Sequence, residues 1–153
     1  MTQSKYAPGT KAPLFTLTDS TGKKFKLSDM KGKKNVLLFF YPGDDTPGCT
    51  KQLCALRDDA PQFKKFKDLV IYGVNHANAH SHNAFIEKYG LTLPLLIDTD
   101  RKVSEKYGAI KYMFGNKSIR RSVIIVDKNG KLAYVKRGMP SNEEIREALT
   151  HLQ

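Results

Sequence analysis

Residues 35–41 read Asn-Val-Leu-Leu-Phe-Phe-Tyr, an unbroken apolar run from Val36 to Tyr41 with Lys33-Lys34 before it and Pro42-Gly43 after it. A run this short, without alternation and closed by turn residues, fits a strand covered on both faces, as in sheets flanked by helices on either side. The chain is therefore expected to be α/β, with this segment as its central strand. The run falls far short of the roughly 20 apolar residues of a membrane-spanning helix, and the start MTQSKYAPGT lacks the apolar stretch of a signal peptide. A cytoplasmic protein without a membrane partner is the expectation. Its 153 residues fit one domain, 1–153, with no linker.

The remaining elements follow from local signals. Phe15 to Asp19 and Lys23 to Leu27 flank Ser20-Thr21-Gly22 as an N-terminal hairpin, and Ser28-Asp29-Met30 starts a short turn. Pro47 opens a helical pattern of Leu53, Leu56 and Ala60, with Pro61 starting a second piece. Leu69 to Val74 is a second buried strand; Ser81 to Tyr89 is a helix with a stripe of Ala84, Phe85 and Tyr89, ended by Gly90. Leu95 to Ile97 is a short strand, and Arg101 to Tyr107 a helix stopped by Gly108. Ser122 to Asp127 pairs with Leu132 to Lys136 across Lys128-Asn129-Gly130, since Asn-Gly favours the tight hairpin turn. Ser141 with Glu144 three residues on forms a capping box for a last helix through Leu149. Strand and helix alternate before an antiparallel hairpin, which predicts a mixed central sheet with helices on both faces.

A net charge of +11 raises the question of nucleic acid. Residues 1–40 contribute +6 and residues 101–140 contribute +9, whereas 41–100 and 141–153 each contribute -2. The charge is mostly scattered Lys, with no run of five and no aromatic interleaving of the kind that binds single strands. A solvated surface that keeps the protein soluble and monomeric is the expected reading, and no nucleic-acid partner is expected.

Two cysteines exclude a disulfide-built scaffold and a four-cysteine metal site. Cys49 follows Asp44-Asp45-Thr46-Pro47-Gly48 at the end of the central strand, where α/β proteins place their sites. Thr46 suits the N-cap and Pro47 the first helical position, so Cys49 falls in the first turn. Free backbone N–H groups and the helix dipole there favour thiolate over thiol. The competing reading is a small apolar residue under a helix. Cys54 lies five residues on, about 7.5 Å of rise and 140° of rotation away, hence about 8.6 Å at Cα if one helix holds both. A disulfide needs about 7 Å or less, so joining the pair would require the helix to open. Alternatively Cys54 merely packs beside Leu53 and Ala55.

Other candidates are weaker. Arg120 and Arg121 enter the strand at Ser122, where one of them can point inward and hold an anion. His76, His80 and His82 have spacings open to a metal, but no adjacent carboxylate completes a site, and surface or capping roles are favoured. No glycine-rich phosphate loop occurs.

At FFYPGDDTPGCT the chain resembles a peroxiredoxin of the bacterioferritin comigratory protein or peroxiredoxin Q group, through Pro42, Thr46 and Cys49 as Pro-x-x-x-Thr-x-x-Cys. The resemblance extends through Cys54, Leu56-Arg57-Asp58, SHNAFIEKYGLTLPLLID, VSEKYGA and RSVIIVDKNGKL, about residues 8–138. It implies a thioredoxin-like fold and thiol-dependent reduction of hydrogen peroxide and organic hydroperoxides, without metal or organic cofactor. It further implies that Cys49 is the peroxidatic cysteine, Cys54 the resolving one, and that Pro42, Thr46 and Arg121 shield, hydrogen-bond and activate. The resemblance prefers Arg121 to Arg120, because Arg121 precedes the strand at the family's offset. Gln52, Val123 and Asn75 depart from the group's commoner Glu, Thr and Ser.

The implied cycle runs through a Cys49 sulfenic acid and an intramolecular Cys49–Cys54 disulfide, recycled by thioredoxin or a glutaredoxin-like dithiol donor. A redox sensor whose disulfide switches a partner is the alternative from another class. A dithiol oxidoreductase is disfavoured, because the five-residue spacing lacks the ready closure of Cys-x-x-Cys.

Overall fold

A computed structural model describes residues 5–152. Its centre is the apolar run: β3 (Asn35–Phe40) is buried at every position. It pairs in parallel with β4 (Leu69–Asn75) and antiparallel with β8 (Ser122–Val126). β4 continues in parallel to β5 (Leu95–Ile97), which meets the N-terminal hairpin of β1 (Thr16–Asp19) and β2 (Lys24–Lys26). On the other side β8 pairs with β9 (Leu132–Arg137), giving the seven-strand order β2-β1-β5-β4-β3-β8-β9.

Alternation along β3 divides the core. Val36, Leu38 and Phe40 join Phe15, Phe25, Tyr107 and Ile124 on one face. Leu37, Phe39 and Tyr41 join Leu53, Phe85, Val123 and Ile145 on the other. Burying each large side chain contributes roughly 1.5–3 kcal/mol, so this strand anchors both layers. The second face receives α1 (Pro47–Asp58), α3 (Ala79–Tyr89) and α5 (Asn142–Thr150), and the first receives α4 (Lys102–Lys106) through Val103. This is the mixed sheet with helices on both faces, a thioredoxin-like α/β fold.

Several boundaries differ from expectation. The four-residue α2 (Ala60–Phe63) carries Pro61 and Ala60, which therefore lies outside α1. α3 begins two residues early because the Asn78 side chain, not a serine, caps it by accepting from Ser81 N–H. Its buried positions are His82 and Phe85, and Ala84 faces solvent. Arg101 lies before α4 in the left-handed region at φ 61°. Leu27 starts a short 3-10 turn to Met30 instead of extending β2. Ser141 caps α5 by accepting from Glu144 N–H at 3.1 Å; the Glu144 carboxylate accepts from the Tyr134 hydroxyl. An unforeseen hairpin, β6 (Ile110–Met113) and β7 (Asn116–Ile119), closes through Phe114 and Gly115.

Candidate active site

The site forms where β3 ends and α1 begins. The pairing of Phe40 with Ser122 sets Arg121 beside the end of β3. Since side chains alternate along a strand, Arg121 shares the face of Val123 and Ile125, the layer that also contains Cys49. Arg120, one residue away, is exposed. Arg121 Nη2 lies 3.3 Å from Cys49 Sγ, and Nη1 donates to Gln52 Oε1 at 2.8 Å.

Cys49 is fully buried as the third residue of α1, beneath the free N–H groups of the first turn. Gly48 makes room for the arginine: a Cβ there would stand 2.9 Å from Nη2. Gln52 supplies a neutral acceptor, so it orients the guanidinium without spending its charge, which stays available to the sulfur. The Gln52 Nε2 is buried without a hydrogen-bond partner among the described residues.

Thr46 holds the N-cap position and Pro47 follows at the helix start, but the threonine side chain does not cap. Its hydroxyl donates to the Gly43 carbonyl at 3.1 Å, bracing the turn that precedes the helix. Pro42, Arg120, Arg121, Lys111, Arg137 and Gly138 line an adjoining cleft of ≈ 420 Å³. Pro42 and Arg121 thus share this cleft, Arg121 reaches Cys49, and Thr46 braces the intervening turn. Cys54 lies in the same helix, partly buried, and both thiols are free.

A second set of residues holds the loop from behind, and sequence reasoning missed it. His82 is fully buried, not on the surface or at a cap. Its Nδ1 lies 2.7 Å from Asp44 Oδ2, and its Nε2 lies 3.1 Å from the Leu96 carbonyl oxygen. Tyr41 donates to Asp44 Oδ1 at 2.6 Å and Ser81 to Oδ2 at 2.7 Å. Burial works to raise the Asp44 carboxyl, but the hydrogen bonds from His82, Tyr41 and Ser81 outweigh it and hold the group below its ordinary value. Burial, then the Asp44 charge, push the Tyr41 hydroxyl well up, so it remains a donor. Asp45, in the left-handed region at φ 53°, accepts from Lys88 at 2.8 Å and from Tyr89 at 2.6 Å. Arg57 donates to the Tyr89 carbonyl, so α3 grips both the loop and α1.

His80 is exposed, and His76 is partly buried near enough to Asp44 and His82 to feel their charge. Among the described residues no three His, Cys, Asp or Glu side chains gather to hold a metal. Asn75 is buried and donates to the Tyr41 carbonyl at 2.8 Å, securing the end of β3, and Val123 is a buried core residue. What the arrangement can do is hold a negative charge on a buried sulfur beside an open cleft.

Residues 8–135 match the AhpC/TSA family. The chain is 41% identical to the chloroplastic peroxiredoxin Q of Suaeda salsa over 152 residues, covering 98% of this chain and 69% of that protein. Peroxidoxin BcpB of Mycobacterium tuberculosis superposes with a TM-score of 0.82 at 29% identity, over 95% of each chain. The bacterioferritin comigratory protein of Xanthomonas campestris, whose structures concern its alkyl peroxide reduction activity, superposes with a TM-score of 0.77 at 27% identity, over 90% of this chain and 89% of that one.

Proposed function

We propose that this chain, which belongs to the AhpC/TSA family as a peroxiredoxin of the Q and bacterioferritin comigratory group and is a thiol-dependent peroxidase, works through Cys49 as its peroxidatic thiol. The observation that carries this assignment is the Arg121 guanidinium 3.3 Å from Cys49 Sγ, held in place by Gln52.

Cys49 thiolate attacks the terminal oxygen of a hydroperoxide. The S–O bond forms as the O–O bond breaks, and the hydroperoxide proton passes to the departing oxygen, which leaves as water or alcohol; the sulfenate left on Cys49 takes a proton from solvent to become the sulfenic acid. Arg121 stabilises the charge that moves from sulfur to the leaving oxygen, in a cleft already shaped before the substrate arrives. Pro42 borders that cleft and limits water, and Thr46 fixes the turn that follows it. The sulfenic acid on Cys49 is next attacked by the Cys54 thiol; water leaves and the disulfide closes.

Both cysteines belong to α1, which supports closure within one chain of a protein that acts as a monomer. Thioredoxin, or a similar dithiol protein, then attacks the disulfide, releases both thiols and takes the disulfide itself. Such a cycle suits the reducing cytoplasm. Assaying peroxide consumption with thioredoxin, its reductase and NADPH tests the reading: Cys49→Ser should abolish turnover, since a hydroxyl does not ionise near neutral pH, and retained turnover would refute the role of Cys49.

A further inference from the structure

The β6–β7 hairpin is built unlike an ordinary surface turn. Met113 pairs with Asn116, so Phe114 and Gly115 form a two-residue loop with φ of +51° and +79°. Both positive values belong to the turn that Asn-Gly or Gly-Gly closes with least strain, and a bulky side chain at the first position costs backbone energy. Yet Phe114 is 94% exposed, and Tyr112 and Met113 beside it are 67% and 54% exposed. Three large apolar side chains thus stand exposed at the end of one hairpin.

The base of this hairpin belongs to the active-site cleft. Lys111 from β6 and Arg120 after β7 line it together with Arg121 and Arg137, and no carboxylate does. Arg137 is anchored to Ser122 and to the Tyr107 carbonyl; burial and then the Arg120 charge push its guanidinium down, a sign of crowded positive charge. Lys111 and Arg120 have no carboxylate partner among the described residues. The Ile110–Ile119 pair seats the hairpin on the core, and Lys117 ties it to Glu105 of α4 at 2.7 Å. The hairpin is therefore held in place, and its cationic base shares the cleft with Arg121, which lies 3.3 Å from Cys49 Sγ.

We infer that the β6–β7 hairpin and the Lys111–Arg120 rim are the docking surface for the dithiol reductant, a protein whose reactive cysteine is bordered by apolar and acidic residues. The inference rests on the peroxidase reading above, in which such a donor must approach the Cys49–Cys54 disulfide. Tyr, Phe, Met and Arg are the residue types enriched at protein interfaces, and a cationic rim speeds encounter with an acidic partner.

Phe114→Asn separates docking from folding, because Asn-Gly suits this turn better than Phe-Gly. With thioredoxin as the probe, Phe114→Asn and Arg120→Ala should each raise the KM for thioredoxin about tenfold. For Phe114→Asn, whose side chain lies outside that cleft, oxidation of Cys49 by peroxide, followed by stopped flow, and reduction of the disulfide by dithiothreitol should both stay within about twofold of wild type, as neither uses the hairpin tip. An unchanged KM for thioredoxin in both variants would overturn the inference. So would sedimentation with anionic phosphatidylglycerol vesicles that Phe114→Asn abolishes while the KM holds, which would make the tip a lipid anchor. Failure of peroxide to oxidise wild-type Cys49 would instead defeat the peroxidase assignment, a separate readout in the same experiment.

Discussion

Gly48 and Arg121 occupy adjoining space: a Cβ on residue 48 would stand 2.9 Å from Arg121 Nη2, the nitrogen that lies 3.3 Å from Cys49 Sγ. The missing side chain is what lets the guanidinium reach the sulfur, at the expense of a weak helix-former in the first turn of α1.

Gly48→Ala should therefore move stability and activity in opposite directions. The alanine gains up to about 1 kcal/mol in helix propensity, worth roughly 2–4 °C in a protein of this size, while displacing the arginine from Cys49. Thermal denaturation should show a higher midpoint and stopped flow a slower oxidation by peroxide. A higher midpoint with an unchanged rate would show that the arginine accommodates the methyl group without leaving the sulfur.

Arg121→Ala removes the charge beside Cys49 and should slow oxidation by peroxide about a hundredfold, the scale of losing one preorganised donor. Arg120→Ala removes a side chain that shares the cleft but does not hydrogen-bond Cys49, and should cost that step far less. Equal losses from the two substitutions in single-turnover assays would mean that the guanidinium at 121 has no special part in the chemistry.

The buried Asp44–His82 pair should make the protein sensitive to acid. The folded-state pKa of Asp44 is lowered, so its contribution is full above its unfolded value, about 3.8, and is lost as pH falls through the lower folded value. Asp44→Asn should be less stable than wild type near neutral pH, with the gap closing below about pH 4 in denaturant titrations. His82→Leu removes one of the three side-chain partners of Asp44, leaving Tyr41 and Ser81, and should cost on the order of 1.5–3 kcal/mol, with the double variant recovering part of it. Additive losses would show that the two groups do not act together.

Sequence signals were sufficient where they were local. The run Val36–Tyr41 marked the central strand; alternation let only one of Arg120 and Arg121 point inward, and the family resemblance chose Arg121, which lies beside Cys49. What escaped lay in pairings distant along the chain or in unusual turns. Asp44 and His82 are separated by 38 positions, and neither has a neighbour that advertises the other. The β6–β7 hairpin lacks the usual Asn or Gly at its first turn position, where Phe114 stands. Thr46 had the right position for a cap, but its hydroxyl turns back to Gly43, a choice that depends on the shape of the preceding loop.

Opening of α1 has its own signature. Cys49 and Cys54 share one continuous helix, in which residues five apart are about 8.6 Å apart at Cα, beyond disulfide reach. Oxidation should strip protection from backbone amides between Thr50 and Arg57 while those of β3 stay protected, because local opening does not require global unfolding. Hydrogen exchange of the two redox states measures this, and equal protection of the helix in both would exclude the opening.

Peptide mapping after a single equivalent of peroxide tests the central assignment most directly. In the wild-type protein the expected product is a Cys49–Cys54 disulfide within one chain, and in Cys54→Ser a sulfenic acid trapped by dimedone on Cys49. Dimedone on residue 54 in a Cys49→Ser variant at the wild-type rate, or oxidised wild-type protein joined mainly between chains, would contradict it.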